Sequence, residues 1–223
     1  MKGNSNIILE EIIYKGAEAS LFKGKWFDKT VLIKQRIPKK YRIVELDDKI
    51  RRFRTVREAK MLIAVKDSGI PVPQVYEIDL NAYWIVMKYI QGKKLKNILH
   101  LVDGEKRRDY FKRIGKYIAL MHKKNFIHGD LTTSNIIITE NENIFFVDFG
   151  LSNRSDSIED RSVDLHLFKR VLMSTHGSYF NECYDNLLGG YEEEYGKDSS
   201  EIIERISVIE SRGRYIEKEE RKK

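Results

Sequence analysis

Short apolar runs punctuated by turn residues dominate the first third of the chain, and longer helical spacing takes over after it. Residues 7–13, 21–26 and 30–37 are rich in β-branched and aromatic side chains. Turns at 15–20 and at Asp28 separate them, which predicts three strands. Ile50, Phe53, Val56, Met61 and Ile63 then recur at broadly helical intervals. Asp47 or Asp48 is placed to cap that helix, and Ser68-Gly69 followed by Pro71 ends it. Residues 75–78 and 83–89 predict a strand pair turning at 79–81, and Gly92 breaks the pattern. Beyond it, 110–124 is an amphipathic helix, 136–139 and 144–147 form a hairpin around 141–143, and the rest is mainly helical. No internal repeat is visible. The expected class is α+β, with a β-rich first lobe bearing one helix and a helical second lobe, joined near 89–92.

Composition narrows the class. Apolar residues at 41% and aromatics at 11%, with only three prolines, describe a chain that packs a core and exclude low-complexity disorder. No apolar run approaches the roughly 20 residues that cross a bilayer, so no membrane association is expected. Residues 1–6 are polar and acidic residues follow, so no secretory leader is expected either. The lone Cys183 cannot form an internal disulfide. The expectation is a soluble, cytoplasmic protein.

Charge is unevenly spread. Residues 34–60 hold eleven basic and four acidic side chains, a net of +7, which equals the net charge of the whole chain. Such a stretch is either a solvated helix face or a surface for RNA or an acidic partner.

The chemistry concentrates in residues 127–150. His128-Gly129-Asp130-Leu131-Thr132-Thr133-Ser134-Asn135 precedes an apolar hairpin and then Asp148-Phe149-Gly150. Each piece alone is weak; the alternative is that Asp130 and Asn135 are turn residues and Asp148 caps a helix. Together they match a phosphoryl-transfer loop with Asp and Asn five apart and a metal-binding Asp thirteen residues further on. Asn135 offers an amide oxygen and Asp148 a carboxylate, both suited to magnesium. Asp130 would orient the attacking hydroxyl or water and take its proton.

The first lobe supplies the remaining parts. Lys34, in Val31-Leu32-Ile33-Lys34, fits a strand lysine that holds ATP phosphates, unless it is a solubilising residue on an edge strand. Glu58, on the following helix, is its expected partner, unless it pairs with a neighbouring arginine. Gly16, Ala17, Glu18 and Ala19 occupy the place of a glycine-rich phosphate loop, although only Gly16 matches, and an ordinary hairpin turn is the other reading. Met87, Lys88 and Ile90 sit where backbone groups would meet adenine. No arginine precedes Asp130, no Ala-Pro-Glu follows Asp148, and only 75 residues remain after it, too few for a usual activation segment and substrate platform. Asp164 either anchors the catalytic loop or caps a helix. The implied architecture is a two-lobed protein-kinase-like fold with a truncated second lobe: an N-lobe over 1–90, a C-lobe over 91–211 and a basic tail over 212–223.

These residues resemble a known family, the small atypical kinase/ATPase subunit of the KEOPS complex (the PRPK family), in its stand-alone archaeal form. The resemblance covers nearly the whole chain. It is carried by Gly16-Ala17-Glu18-Ala19; by Lys34-Gln35-Arg36-Ile37-Pro38-Lys39-Lys40-Tyr41-Arg42; by Arg54-Thr55-Val56-Arg57-Glu58-Ala59; by the loop from His128 to Asn135; by Asp148-Phe149-Gly150-Leu151-Ser152; by Val163-Asp164-Leu165 with Ser174-Thr175-His176; and by Arg212-Gly213-Arg214. One departure is Tyr215, followed by a mixed Glu/Lys/Arg ending where a uniformly basic one is implied. The resemblance implies binding of ATP and Mg2+ and phosphorylation of serine or threonine, including on itself. It also implies ATP hydrolysis in support of a threonylcarbamoyl-transferring partner subunit that forms threonylcarbamoyladenosine at position 37 of tRNA. A second small KEOPS subunit would bind the N-lobe, and Arg51, Arg52, Arg54, Arg212 and Arg214 become candidate contacts to tRNA or a partner. Two other readings remain open at this point: a small-molecule or lipid-type kinase of similar fold, and a nucleotide-binding scaffold without turnover.

Overall fold

A computed structural model describes residues 7–220, with side chains through Arg212. The chain divides into two compact units, Met1–Gln91 and Gly92–Lys223. The first is a sheet with one helix and the second is mainly helical, so the expected α+β class is observed.

The first unit opens with β1 (Ile7–Lys15), β2 (Ala19–Trp26) and β3 (Lys29–Arg36), continues through α1 (Val44–Asp67) and closes with β4 (Val75–Asp79) and β5 (Trp84–Lys88). The sheet order is β1-β2-β3-β5-β4, so β3 is central, pairing antiparallel with β2 and with β5. Its period-two alternation sorts the side chains. Val31 and Ile33 join Val86 in an apolar cluster with Phe22, Trp26, Tyr76 and Trp84 around it. Lys34 and Arg36 share the parity opposite to Ile33 and are both buried. The β4–β5 turn is set by Asp79, whose carboxylate accepts the backbone N–H groups of Asn81 and Ala82 at 2.7 and 3.0 Å.

Helix α1 departs from expectation in two ways. It begins at Val44, with Ile43 at the cap position and no side-chain cap, so neither Asp47 nor Asp48 caps it. Asp47 is instead buried in the first turn, where it accepts from Arg51 Nε at 2.6 Å and from the Lys39 N–H at 3.3 Å. A carboxylate there is favoured by the helix dipole and by several donors at once. The expected apolar stripe faces inward only in part: Met61 is buried and Ile50 and Val56 are half-buried. Phe53 is 63% exposed and Ile63 40% exposed. Beyond the first turn the buried face is Thr55, Glu58, Ala59, Met61, Leu62 and Val65, which recur mainly at three- and four-residue steps.

The second unit begins with β6 (Lys93–Lys94), α2 (Leu95–Ile98) and α3 (Gly104–Lys123). It continues with β7 (Phe126–Ile127), β8 (Ile136–Ile138), β9 (Ile144–Phe146) and β10 (Asn153–Arg154), and ends with α4 (Ile158–Thr175), α5 (Phe180–Tyr195) and α6 (Ser199–Glu220). The expected hairpin is β8–β9, and its turn holds Glu142 at φ 58°. Helix α3 starts earlier than residue 110, because Asp103 caps it by accepting the Lys106 N–H at 2.8 Å. Helix α6 is continuous from Ser199 to Glu220, so no break in secondary structure falls at 211–212. Among the described residues, no helix is long and apolar enough to cross a membrane.

Helices α3 and α5 approach closely through glycines. A Cβ on Gly115 would meet the Leu187 carbonyl oxygen at 2.0 Å, and one on Gly190 would meet the Lys112 carbonyl oxygen at 2.0 Å. Outside this crossing, Glu193 bridges Lys112 and Lys116 at 2.9 and 2.7 Å. The buried Cys183 lies on α5, where burial pushes its thiol up to about 12. Gly190→Ala must therefore separate the two helices. It is expected to lower unfolding stability by about 1–3 kcal/mol, as overpacking does, and a urea midpoint equal to that of the parent protein would contradict the close crossing.

Candidate active site

In the first unit, the central position of β3 puts Lys34 inside the sheet rather than on an edge. Its Nζ lies 2.6 Å from Glu58 Oε1, and Arg36 Nη2 lies 2.5 Å from Glu58 Oε2. The Glu58 side chain is 1% exposed. A carboxylate so buried needs compensating donors on both oxygens, and β3 supplies them from two residues of equal parity. Lys34 and Glu58 are thus brought together as expected. The second cation, Arg36, was not anticipated; its spacing of two from Lys34 was the available signal.

The turn Gly16-Ala17-Glu18-Ala19 joins β1 to β2. The Gly16 N–H donates to the Ala19 carbonyl at 2.9 Å, and Ala17 and Glu18 are exposed. Glu18 is latched from outside: Arg54 Nη1 lies 2.6 Å from its Oε2, and Lys39 Nζ lies 3.8 Å from its Oε1. Met87 is buried on β5 between Leu32 and Val75. Lys88 ends that strand, and its N–H is spent on the Gln74 carbonyl at 2.8 Å; Ile90 is buried just beyond.

In the second unit, the loop from His128 to Asn135 is held from below. Asp164 on α4 accepts the backbone N–H groups of His128 and Gly129, each at 2.9 Å, and His122 Nε2 lies 3.3 Å from the same carboxylate. Burial works to raise the Asp164 carboxyl, but the hydrogen bond and charge of His122, backed by His128, hold it below its ordinary value. Asp164 is thus an anchor, not a cap. His122 is itself oriented by Tyr191 Oη at 2.9 Å. Neither His122 nor Tyr191 was anticipated, because the contacts span 42 and 69 residues of sequence. Gly129 sits at φ +77°, and a Cβ there would meet the Leu151 carbonyl at 2.6 Å, so this position requires glycine.

Within the loop, Asn135 Nδ2 donates to Asp130 Oδ2 at 2.8 Å and to the Asp130 carbonyl at 3.0 Å. That leaves Oδ1 as the side-chain atom with which Asn135 can meet a cation. The Val147 N–H donates to the Asn135 carbonyl at 2.9 Å, which ties the end of the hairpin to the loop one residue before Asp148. Asp148 is exposed and adopts φ 64°, a left-handed conformation that costs a non-glycine residue about 1 kcal/mol or more. Phe149, next to it, is buried with its ring centroid 4.5 Å from that of His128. Among the described residues, no group of three or more His, Cys, Asp or Glu could hold a metal ion unaided.

The candidate RNA-contacting arginines differ in what they touch. Arg51 is folded onto Asp47 and over the Tyr83 ring at 3.8 Å. Arg52 and Arg54 are about half exposed, near Asp48 and Glu18. Arg212 Nη1 lies 2.8 Å from Oε1 of Glu159, whose Oε2 pairs with Arg205. The Arg214 and Tyr215 side chains lie outside the described residues.

Comparison with known proteins adds the family. The model of the RIO domain, RIO1, matches residues 25–162. The chain belongs to the RIO-domain family. Among its relatives, the KEOPS complex subunit Bud32 of Pyrococcus abyssi is 43% identical over 93% of this chain and 97% of its own length. A probable bifunctional tRNA threonylcarbamoyladenosine biosynthesis protein of Methanobrevibacter smithii is 44% identical over 92% of this chain. The similarly named protein of Methanocaldococcus jannaschii is 41% identical over 97% of it. The chain spans 37% and 39% of those two longer proteins. The RIO-domain match contains Lys34, Glu58, Asp130, Asn135 and Asp148, and Asp164 lies two residues past its end.

The buried ionisable groups set a pH dependence. Burial lowers His128 below its ordinary 6.5, so the folded state holds it neutral while the unfolded state protonates it readily. Burial lowers His166 and His176 in the same sense. Stability from these groups is complete above about pH 6.5 and declines as pH falls below it. Urea midpoints are expected to be level from pH 7.5 to 7 and to fall between pH 6.5 and 5; a level profile throughout would contradict neutral, buried imidazoles.

Proposed function

We propose that the chain is an ATP-dependent phosphotransferase of the atypical serine/threonine-kinase kind, with ATPase activity, acting in KEOPS-dependent formation of threonylcarbamoyladenosine at position 37 of tRNA. The names of its relatives support the tRNA-modifying role. The enzymatic role is carried by one observation: Asn135 spends its amide nitrogen on Asp130, which aims a carboxylate and leaves an amide oxygen for a cation.

Each residue then has a role. Lys34, ion-paired to Glu58, would hold the α- and β-phosphates of ATP. The turn of Gly16, Ala17, Glu18 and Ala19 would cover them, and Met87, Lys88 and Ile90 would border adenine. The donor set fits Mg2+: Asn135 Oδ1 and the Asp148 carboxylate are hard oxygens, and two protein donors leave positions for phosphate oxygens and water. Bound there, the ion would neutralise charge on the phosphates. Asp130 would orient a serine or threonine hydroxyl, or water, and accept its proton as that oxygen bonds to the γ-phosphorus and ADP departs.

The partners follow the same reading. The threonylcarbamoyl-transferring subunit would depend on this turnover, in the cytoplasm. A second small subunit would cover the first unit, where the edge strand β1 exposes Ile8, Leu9, Ile12, Ile13 and Tyr14. The basic face of α1 would meet tRNA.

Phosphate release and autophosphorylation, measured with Mg-ATP for the chain alone and with its partner subunits and tRNA, test the enzymatic role. Asp130→Ala and Asp148→Ala are each expected to lose roughly 10²–10⁴ in turnover. Turnover equal to that of the parent chain, or none under any of these conditions, overturns the assignment; the latter is the scaffold outcome. For tRNA, Arg52→Glu and Arg54→Glu, with Arg51 left in its ion pair, are expected to weaken association. Each should flatten the slope of log K against log salt by about one per lost phosphate contact; unchanged slopes would exclude this face.

A further inference from the structure

Of the motif Ser174-Thr175-His176, to which the proposed chemistry gives no role, Thr175 and His176 border a hollow of about 490 Å3 in the second unit. One wall is α2 and its sequel, with Lys96 and His100; the other is the end of α4 and the turn after it, with Thr175, His176, Ser178 and Tyr179. Among the described residues that line it, none is acidic. The walls are firmly built. The His176 N–H caps the Leu172 carbonyl at 2.8 Å, the Tyr179 N–H donates to the His176 carbonyl at 2.9 Å, and the Arg107 guanidinium sits 4.2 Å over the Tyr179 ring. Burial, followed by the nearby Lys96 and His100, lowers His176 below its ordinary value. The lining thus sets the exposed Lys96 ammonium and His100 imidazole beside the buried His176, together with the hydroxyl-bearing Thr175, Ser178 and Tyr179 and without a carboxylate.

His176 also reaches inward. Its Nε2 lies 3.0 Å from Thr133 Oγ1, and Thr133 is fully buried in the 3-10 turn Thr133–Asn135. That turn ends on Asn135, which holds Asp130. The floor of the hollow is therefore one hydrogen bond from the catalytic loop.

We propose that this hollow is a phosphate-binding site, distinct from the ATP site, in which Lys96, His100 and His176 receive a phosphate group and Thr133 passes its occupancy to the loop. Phosphate is favoured over a carboxylate because its oxygens match a divergent set of imidazole, ammonium and hydroxyl donors. The group belongs either to a small anion, such as phosphate released by turnover, or to the backbone of an RNA strand. The proposal does not rest on the assignment of the ATP site, and either can fail without the other.

The test follows the histidine ring signals and the Thr133 amide by NMR in the full-length chain, first without and then with a non-hydrolysable ATP analogue. Inorganic phosphate is titrated first, then a short single-stranded oligoribonucleotide. Saturable shifts of His176 and Thr133 with inorganic phosphate are expected, at least tenfold weaker in affinity in Lys96→Glu and in His100→Glu. Lys197→Glu, an equal charge change at an exposed residue outside the hollow, should leave them unaltered. If the oligoribonucleotide produces the same shifts and phosphate competes with it, the strand is the source; if only free phosphate does so, the small anion is. Absence of any shift at His176, or equal shifts in all three variants, overturns the proposal.

Discussion

A carboxylate removed from water must have its oxygens hydrogen-bonded, and Asp164 meets that demand by taking the backbone N–H groups of two successive loop residues. Because both donors belong to the loop, the energetic need of one buried side chain becomes a positional constraint on His128 and Gly129. Asp130 follows directly, and Asn135 closes the loop by donating to it. His122 and Tyr191 complete the arrangement beneath, so that α3, α4 and α5 all bear on the placement of one loop.

The first unit solves an analogous problem around Glu58. Here a buried carboxylate receives two cations from one strand, Lys34 and Arg36, rather than two amides. The pairing gives α1 its orientation: Glu58 must face the sheet, so Thr55, Ala59, Leu62 and Val65 face it too, and Phe53 is turned to solvent. It also divides the basic stretch of the chain. Lys34, Arg36 and Arg51 are spent inside the unit, whereas Arg52 and Arg54 remain at the surface. A net charge counted along the sequence therefore overstates what the surface can offer a polyanion.

Strain and close approach mark the same region. Asp148 holds a left-handed conformation that is uncommon outside glycine, between a backbone bond at Val147 and the buried ring of Phe149. Gly129 allows the loop to approach Leu151 closely. Such conformations persist where the surrounding structure over-determines them, and here the over-determination comes from the anchor beneath and the hairpin alongside.

Much of this was legible from the chain alone. The strand runs, the hairpin after the loop, and the spacing among Asp130, Asn135 and Asp148 are local patterns, and local patterns survive because strand alternation and turn chemistry act over a few residues. Lys34 and Glu58 were legible as a pair because the motif names both. What the sequence could not decide was which apolar residues of α1 turn inward, since Phe53 and Ile63 face solvent while Met61 is buried with Ala59, Leu62 and Val65 beside Glu58. It could not show that Arg36 shares Glu58, that His122 and Tyr191 support Asp164, or that Gly115 and Gly190 let two helices touch. These depend on groups tens of residues apart meeting in a low-dielectric interior, where the cost of an unpaired charge or a misplaced methyl is set by neighbours that only the folded chain assembles.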